Sequence, residues 1–153
     1  MKSSTSSRRS TPLRLVWLAA AVLPAACATP PAPPANPFAG GWATAEHQQI
    51  SFRDDSVVLQ PPGQPPTPMS AASCSGAFRF AYGHKGRDDL LRLTPTQPDL
   101  KRRLERLLVR ADYPVAEVTC GEGASTYVLL DDRDLLAIHS DQGIAGTETM
   151  TRL

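Results

Sequence analysis

The side chains able to do acid–base or nucleophilic chemistry are few, and their spacing favours binding over catalysis. Three pairs of adjacent carboxylates are present: Asp54 and Asp55, Asp88 and Asp89, Asp131 and Asp132. Each pair lies at a predicted turn, where neighbouring side chains point apart into water, so we do not expect any pair to act as acid and base. His139 precedes Ser140 and Asp141, but side chains alternate across a strand, so this order does not form a catalytic triad.

The motifs that hold a nucleophile, a nucleotide or a metal ion are missing. The sequence has no G-x-S-x-G elbow, and GEGAS at 121–125 lacks the lysine and the spacing of a phosphate-binding loop. His47, His84 and His139 are far apart, and no pair of cysteines or histidines has zinc-ligand spacing. We therefore predict that the protein is not an enzyme and has no catalytic residues, no cofactor and no metal site.

The first 26 residues have the features of a signal peptide. Basic residues come first: Lys2, Arg8, Arg9 and Arg14. Residues 15–23 are then apolar, and this run of nine is too short for a membrane-spanning helix, which needs about 20 residues. A buried N-terminal helix is the alternative, and the basic start and the prolines that follow argue against it.

The residues around Cys27 predict a lipid anchor. Residues 23–27, LPAAC, resemble the lipobox of bacterial lipoproteins, with Pro24 in place of the usual aliphatic residue. The resemblance implies acyl chains such as palmitate on Cys27 and an exported protein that faces the periplasm. Ala28 stands where an aspartate often retains lipoproteins at the inner membrane, which favours the outer membrane. An A-x-A cleavage site at 26–28 is the alternative and releases a soluble protein.

A proline-rich tether follows Cys27. Residues 28–37 contain five prolines. Because proline fixes φ and removes a donor, we expect an extended polyproline II segment that holds a domain about 30 Å from its anchor, at about 3.1 Å per residue. The predicted organisation is a signal peptide at 1–26, a lipid anchor and tether at 27–37, and one β-rich domain at 38–153.

Two cysteines remain once Cys27 carries lipid, and in an exported chain Cys74 and Cys120 predict one disulfide. Two buried free thiols are the alternative. In the chain-entropy model, a bridge across 46 positions stabilises the fold by about 4 kcal/mol.

The charge of the predicted mature chain argues against nucleic-acid binding. The whole sequence has 16 basic and 15 acidic residues. Without the four basic residues of the leader, 12 basic residues stand against 15 acidic ones, a net charge of −3. A folded part of about 115 residues suits one domain with one modest core.

Alternating apolar residues predict a mainly β (α+β) fold. Trp42 opens a first strand, and residues 49–52 and 56–59 form a hairpin. A turn at 83–86 is expected to lead into a strand at 89–93. The spacing of turn residues predicts a strongly curved antiparallel sheet or a small β-barrel of about eight or nine short strands with one amphipathic helix.

The aromatic residues of one strand define a candidate site. Phe78, Phe80 and Tyr82 alternate with Arg79 and Ala81, so their rings share one face of the strand. With Trp42, these rings form either part of the apolar core or a wall for a ligand. Both interpretations remain open from the sequence.

Residues 96–110 predict the amphipathic helix, with Thr96 as its N-cap. An apolar stripe runs along it: Leu100, Leu104, Leu107 and Leu108. The opposite face is basic: Lys101, Arg102, Arg103, Arg106 and Arg110. This basic face is either solvated, attracted to anionic lipid headgroups, or docked on an acidic partner.

Two families of small β domains share short motifs with this sequence. GGW at 40–42 resembles the G-x-W that opens the first strand of lipocalins, a likeness that implies packing of Arg152 on Trp42. A tryptophan strand, a strand with cysteine, glycine and phenylalanine, a helix and closing strands follow in an order similar to the META-type domains of bacterial envelope proteins. In that second motif the residues are Cys74, Gly76 and Phe78, and Ser75 replaces the expected asparagine. Both resemblances imply a barrel-like fold.

These features predict a non-enzymatic cell-envelope lipoprotein that acts as a binding module. The ligand is either a small apolar molecule or an envelope protein, and the alternative function is a periplasmic inhibitor of a cell-wall hydrolase or protease. A ligand barrel requires an unfilled interior lined by Phe78, Phe80 and Tyr82. A partner module or inhibitor requires a packed interior and a protruding loop, such as the proline-rich residues 61–68.

Overall fold

Nine strands and two helices make up the described chain, which covers residues 36–94, 97–141 and 144–153 of a computed structural model. The strands are β1 Gly40–Ala43, β2 Gln49–Phe52, β3 Val57–Gln60, β4 Thr67–Pro68, β5 Phe78–Gly86, β6 Asp112–Cys120, β7 Gly123–Leu129, β8 Asp134–Asp141 and β9 Ile144–Arg152. The helices are α1 Arg87–Arg92 and α2 Pro98–Leu107. The predicted signal peptide, Cys27, residues 27–35 of the tether and the Thr96 cap lie outside the described residues.

The strands form one antiparallel sheet in the order β4-β3-β2-β1-β9-β8-β7-β6-β5. The sheet curls strongly into a half-barrel, which confirms the predicted fold class. The predicted hairpin is β2–β3, in which Phe52 lies opposite Val57. The first and last parts of the chain meet where Trp42 of β1 pairs with Arg152 of β9.

The concave face of the sheet holds an apolar core rich in aromatic rings. Side chains at every second position point inward, as a strand requires. They include Phe38, Trp42, Ile50, Phe52, Val57, Val118, Tyr127, Leu135 and Met150, all buried. Each large side chain removed from water contributes about 1.5–3 kcal/mol, so this face accounts for much of the stability.

The two helices cover the convex face of the sheet. Leu90, Leu91, Leu104 and Leu108 pack on Tyr113, Val115, Val128, Leu136 and Ile138. Leu104 and Leu108, from the predicted apolar stripe, are fully buried. Strand β8 is therefore buried on both faces, which explains its unbroken apolar run LLAI.

One predicted strand is wrong. Residues 89–93 belong to helix α1, and residues 83–86, predicted as a turn, continue strand β5. The carboxylates of Asp88 and Asp89 lie in the first turn of α1, where they complement the helix dipole, and Arg92 pairs with Asp89 one turn later. Two adjacent leucines in so short a run fit a helix and a strand equally well, so periodicity could not separate the two.

None of the helices in the described part of the chain is both long enough and apolar enough to cross a membrane.

Candidate functional site

The three aromatic residues of β5 are part of a filled interior, which agrees with the core interpretation and not with a ligand wall. Phe78, Phe80 and Tyr82 lie on the concave side of β5 and are partly buried against the core. The Phe80 ring stacks on Phe52 with centroids 6.3 Å apart, and the Tyr82 ring stacks on Phe38 at 5.5 Å. The rings therefore occupy the centre of the half-barrel themselves.

Trp42 of β1 belongs to the same apolar core. It is fully buried, and its indole N–H donates to the Phe38 carbonyl at 3.0 Å. The Arg152 guanidinium lies 4.2 Å from the centre of the Trp42 ring, in the arrangement that the lipocalin resemblance implied. Arg152 also donates to the carbonyls of Asp132, Ala39 and Pro37, each at 2.8 Å. Arg152 thus ties the end of the chain to its first strand.

The predicted disulfide is present between Cys74 and Cys120. It fastens the segment before β5 to the end of β6. Gly121, at φ +62, donates its N–H to the Ala77 carbonyl at 2.8 Å and continues the same connection. A Cβ at Gly121 would lie 3.4 Å from the Cys74 carbonyl oxygen, so this position combines a left-handed backbone with a close approach.

Beside the disulfide the half-barrel opens into a cavity of about 820 Å³, which we call the hollow. Its apolar lining includes Met69, Ala77, Val118 and the disulfide itself. Its polar lining includes Glu122, Ser125, His139 and Asp141. The volume lies within the range of ligand sites, about 300–1,000 Å³, and the lining combines apolar walls with a few polar groups.

Four side chains from three neighbouring strands form a polar cluster next to the hollow, and two of them, Ser125 and His139, line it. Ser125 of β7 lies opposite His139 of β8, and its Oγ is 2.8 Å from His139 Nδ1. Glu148 of β9 places Oε2 3.8 Å from His139 Nε2. The Tyr127 ring meets the imidazole edge-on, with centroids 6.1 Å apart. We call Ser125, Tyr127, His139 and Glu148 the polar cluster.

Burial governs the electrostatics of the polar cluster. It lowers the pKa of His139 below the ordinary 6.5, and the Glu148 carboxylate offsets part of this effect. Burial also raises the pKa of Tyr127 to about 12. His139 is therefore neutral at pH 7. The nearby carboxylate favours a proton on Nε2, so Nδ1 accepts a hydrogen bond from the Ser125 hydroxyl.

The polar cluster contains the residue types of a hydrolase triad without its geometry. Glu148 lies too far from Nε2 for a hydrogen bond, at 3.8 Å. Ser125 lies within β7 and pairs with Val118 on one side and His139 on the other. Its own N–H therefore serves the sheet ladder and is not free to stabilise an oxyanion. The arrangement is suited to hydrogen bonding with a group that enters the hollow.

The polar cluster is not evident from the order of residues in the sequence, because its members come from three strands. In the chain, His139 stands next to Ser140 and Asp141, and this order points to neither Ser125 nor Glu148. The signal was in the register of the β7–β8 hairpin: Ser125 and His139 are equally distant from Asp132, at the centre of the turn. Glu148 belongs to β9, so its position follows only from the β8–β9 pairing.

The predicted basic face is only partly assembled. Lys101, Arg102, Arg103 and Arg106 lie exposed on α2, and Arg102 pairs with Asp99. Arg110 does not belong to this face, because α2 ends at Leu107. Its guanidinium donates to the carbonyls of Leu129 and Leu130 and stacks over the Tyr113 ring at 4.6 Å. Arg110 thus binds the end of β7 with its guanidinium and remains exposed to solvent.

Two of the three carboxylate pairs lie in turns, and the third lies in the first turn of α1. Asp54 and Asp55 are exposed between β2 and β3, and Asp88 and Asp89 lie in the first turn of α1. Asp131 accepts the N–H groups of Arg133 and Asp134, each at 2.8 Å. These two hydrogen bonds lower the pKa of Asp131.

Within residues 36–94, 97–141 and 144–153, no group of three or more histidine, cysteine, aspartate or glutamate side chains is placed to hold a metal ion.

Comparison of the chain with protein-family models, with curated proteins and with solved structures finds no match.

Proposed function

We propose that this chain is a non-enzymatic binding protein of the cell envelope, anchored by lipid at Cys27, whose binding partner enters the hollow. One observation carries the proposal: the half-barrel is filled with aromatic rings at its centre and open at its disulfide end. The open end presents the hydrogen-bonding groups of Ser125 and His139 on a rigid sheet. Convergent polar groups in an apolar cavity, one of them with a shifted pKa, are typical of a binding site.

The filled interior supports an envelope protein as the ligand in preference to a small apolar molecule. A lipocalin-like ligand needs the space that Phe38, Phe52, Phe80 and Tyr82 occupy. The hollow, by contrast, has room for one or two side chains of a partner. Glu122 and Asp141 line it together with Ser125 and His139, and its lining contains no lysine or arginine among the described residues. A basic side chain of the partner therefore fits its charge.

An inhibitor of a cell-wall hydrolase or protease is the second candidate, and the proline-rich connection favours it. Residues 62–68 are exposed. Pro61, Pro68 and Met69 line a smaller cavity that also contacts the disulfide. Prolines keep such a segment stiff, so it loses little entropy when it enters the active-site cleft of an enzyme.

Native mass spectrometry of the protein extracted in mild detergent from its own membranes tests the proposal. We expect the mass of a chain that begins at a lipid-modified Cys27, with one disulfide, together with a co-purifying protein. The Cys27→Ser variant should leave the membrane fraction and still bind the same partner. A chain without lipid contradicts the anchor, and a bound small molecule in place of a protein contradicts the choice of partner.

A further inference from the structure

Strand β5 leaves one side of its backbone without a partner. It ends the sheet and pairs only with β6. At its start, Gly121 donates to the Ala77 carbonyl at 2.8 Å, and at its end Arg87 donates to the Ala111 carbonyl at 2.9 Å. Because hydrogen bonds alternate along an antiparallel pair, the odd-numbered residues between these two points bond to β6. The N–H and C=O groups of the even-numbered residues point away from the sheet: Phe78, Phe80, Tyr82, His84 and Gly86.

The outward groups of Phe78, Phe80, Tyr82 and His84 have no hydrogen-bond partner in the described part of the chain, whereas the Gly86 carbonyl begins helix α1. A cavity of about 530 Å³ opens along the same edge, between residues 82–84 on one side and residues 36–38 with Asp54 on the other. At Tyr82 and His84 the outward backbone therefore borders open space. An unpaired strand edge of this kind binds extended peptides.

The opposite edge of the sheet shows the contrast. Strand β4 has two residues, Thr67 and Pro68, and follows Pro65 and Pro66. Proline lacks an N–H, so a short edge rich in proline does not accept a further strand. Strand β5 has nine residues and no proline. The β4 edge therefore cannot pair with a further strand, whereas the β5 edge can.

The side chains beside the open edge indicate the charge of its partner. Arg79 is exposed and has no carboxylate within ion-pair distance among the described residues. Lys85, on the same face of β5, lies 3.1 Å from Glu117. A second copy of β5 aligned about Tyr82 would place Arg79 opposite Lys85. Facing like charges are unfavourable, whereas a strand with carboxylates at these positions is favoured.

We propose that the edge of β5 binds an extended acidic segment of a partner protein by strand addition. The segment pairs with the outward groups of Phe80, Tyr82 and His84 and places an aspartate or glutamate beside Arg79. This surface consists of backbone groups and does not use the polar cluster, so it stands whether or not the hollow binds a partner.

Amide hydrogen exchange measured by NMR tests the proposal. The probe is a proline-free nine-residue peptide that alternates valine and glutamate, and a peptide with lysine in place of glutamate is the control. With the acidic peptide at saturation, we expect exchange at Phe80, Tyr82 and His84 to slow at least tenfold. The amides of Arg79 and Ala81, already bonded to β6, should not change. Unchanged exchange at the even-numbered residues overturns the proposal.

Two variants of one exposed residue separate backbone from side-chain binding. His84→Pro removes an outward N–H and should weaken peptide binding at least tenfold, whereas His84→Ala keeps the N–H and should bind within about twofold of the parent.

Arg79→Glu should reverse the preference between the acidic and the basic peptide. If His84→Pro does not fold, the exchange pattern of the parent protein still decides. Equal binding of both peptides, or slowed exchange without peptide at high protein concentration, contradicts an acidic partner strand.

Discussion

At the scale of single residues, folding lowers the pKa of His139. Burial lowers its pKa below 6.5, so the folded chain binds this proton less readily than the unfolded chain does. The resulting stability is fully present above pH 6.5 and is lost as the pH falls through the lower folded pKa.

The corresponding prediction is a decrease in the free energy of unfolding between pH 7.5 and pH 5, measured by urea denaturation. His139→Gln should flatten this part of the pH profile, because glutamine does not titrate. His84→Gln, at a side chain that is 66 % exposed, is the control for replacing an imidazole by an amide. A profile that is equally steep in His139→Gln would show that other groups cause the pH dependence.

Arg152 combines a stacked guanidinium with three bonds to carbonyl oxygens. Lysine keeps the charge but cannot reproduce the flat, forked donor, so Arg152→Lys should reduce the free energy of unfolding by about 1–2 kcal/mol. Urea denaturation followed by the fluorescence of Trp42 measures the loss. Arg133→Lys changes an exposed arginine near the same turn and should have almost no effect. Equal stability of the two variants would contradict the role given to Arg152.

At the scale of the elements, the disulfide sets the position of β5 relative to β6. Replacing Cys74 and Cys120 together by alanine should lower the free energy of unfolding by about 4 kcal/mol, because the bridge closes a loop across 46 positions. Urea denaturation of the variant should match that of the parent chain under reducing conditions. A variant as stable as the oxidised parent would show that the sheet alone holds this end together.

Helix α2 shows how packing on the convex face depends on single side chains. Leu104 is fully buried and Leu100 is partly exposed. Leu104→Ala should therefore cost about 2–4 kcal/mol, and Leu100→Ala clearly less. Thermal or urea denaturation of the two variants measures the difference. Similar losses in both would mean that α2 does not pack through Leu104.

The elements that the sequence revealed are those in which local pattern and tertiary packing agree. The β2–β3 hairpin and the aromatic strand with Phe78, Phe80 and Tyr82 have clear two-residue alternation and a turn between apolar runs. Helix α1 was missed because Leu90 and Leu91 are too short a run to distinguish a helix from a strand. The contact between Ser125 and His139 could be predicted from the position of the β7–β8 turn, because the turn fixes which residues lie opposite each other. The position of Glu148 could be predicted only from the pairing of β8 with β9.

At the scale of the whole molecule, the two faces of the sheet carry the apolar packing, and its open end and one edge remain accessible. The concave face is filled by aromatic rings, and the helices bury the convex face of the central strands. The core side chains leave the hollow beside the disulfide unfilled, and this is the space that the proposed function requires. The edge of β5 remains open while the proline-rich β4 closes the other side.

The central claim is that a partner occupies the hollow, and site-specific photo-crosslinking in the cells that produce the protein tests it most directly. A photoreactive phenylalanine at Asp141, which is exposed, lines the hollow and lies on the same face of β8 as His139, should form one discrete adduct with a protein. The same group at Val109, which is 82 % exposed and follows α2, should form none. An adduct at Asp141 that disappears when Ser125 and His139 are replaced by alanine is the predicted result. No adduct at Asp141, or equal adducts at both positions, would contradict the account.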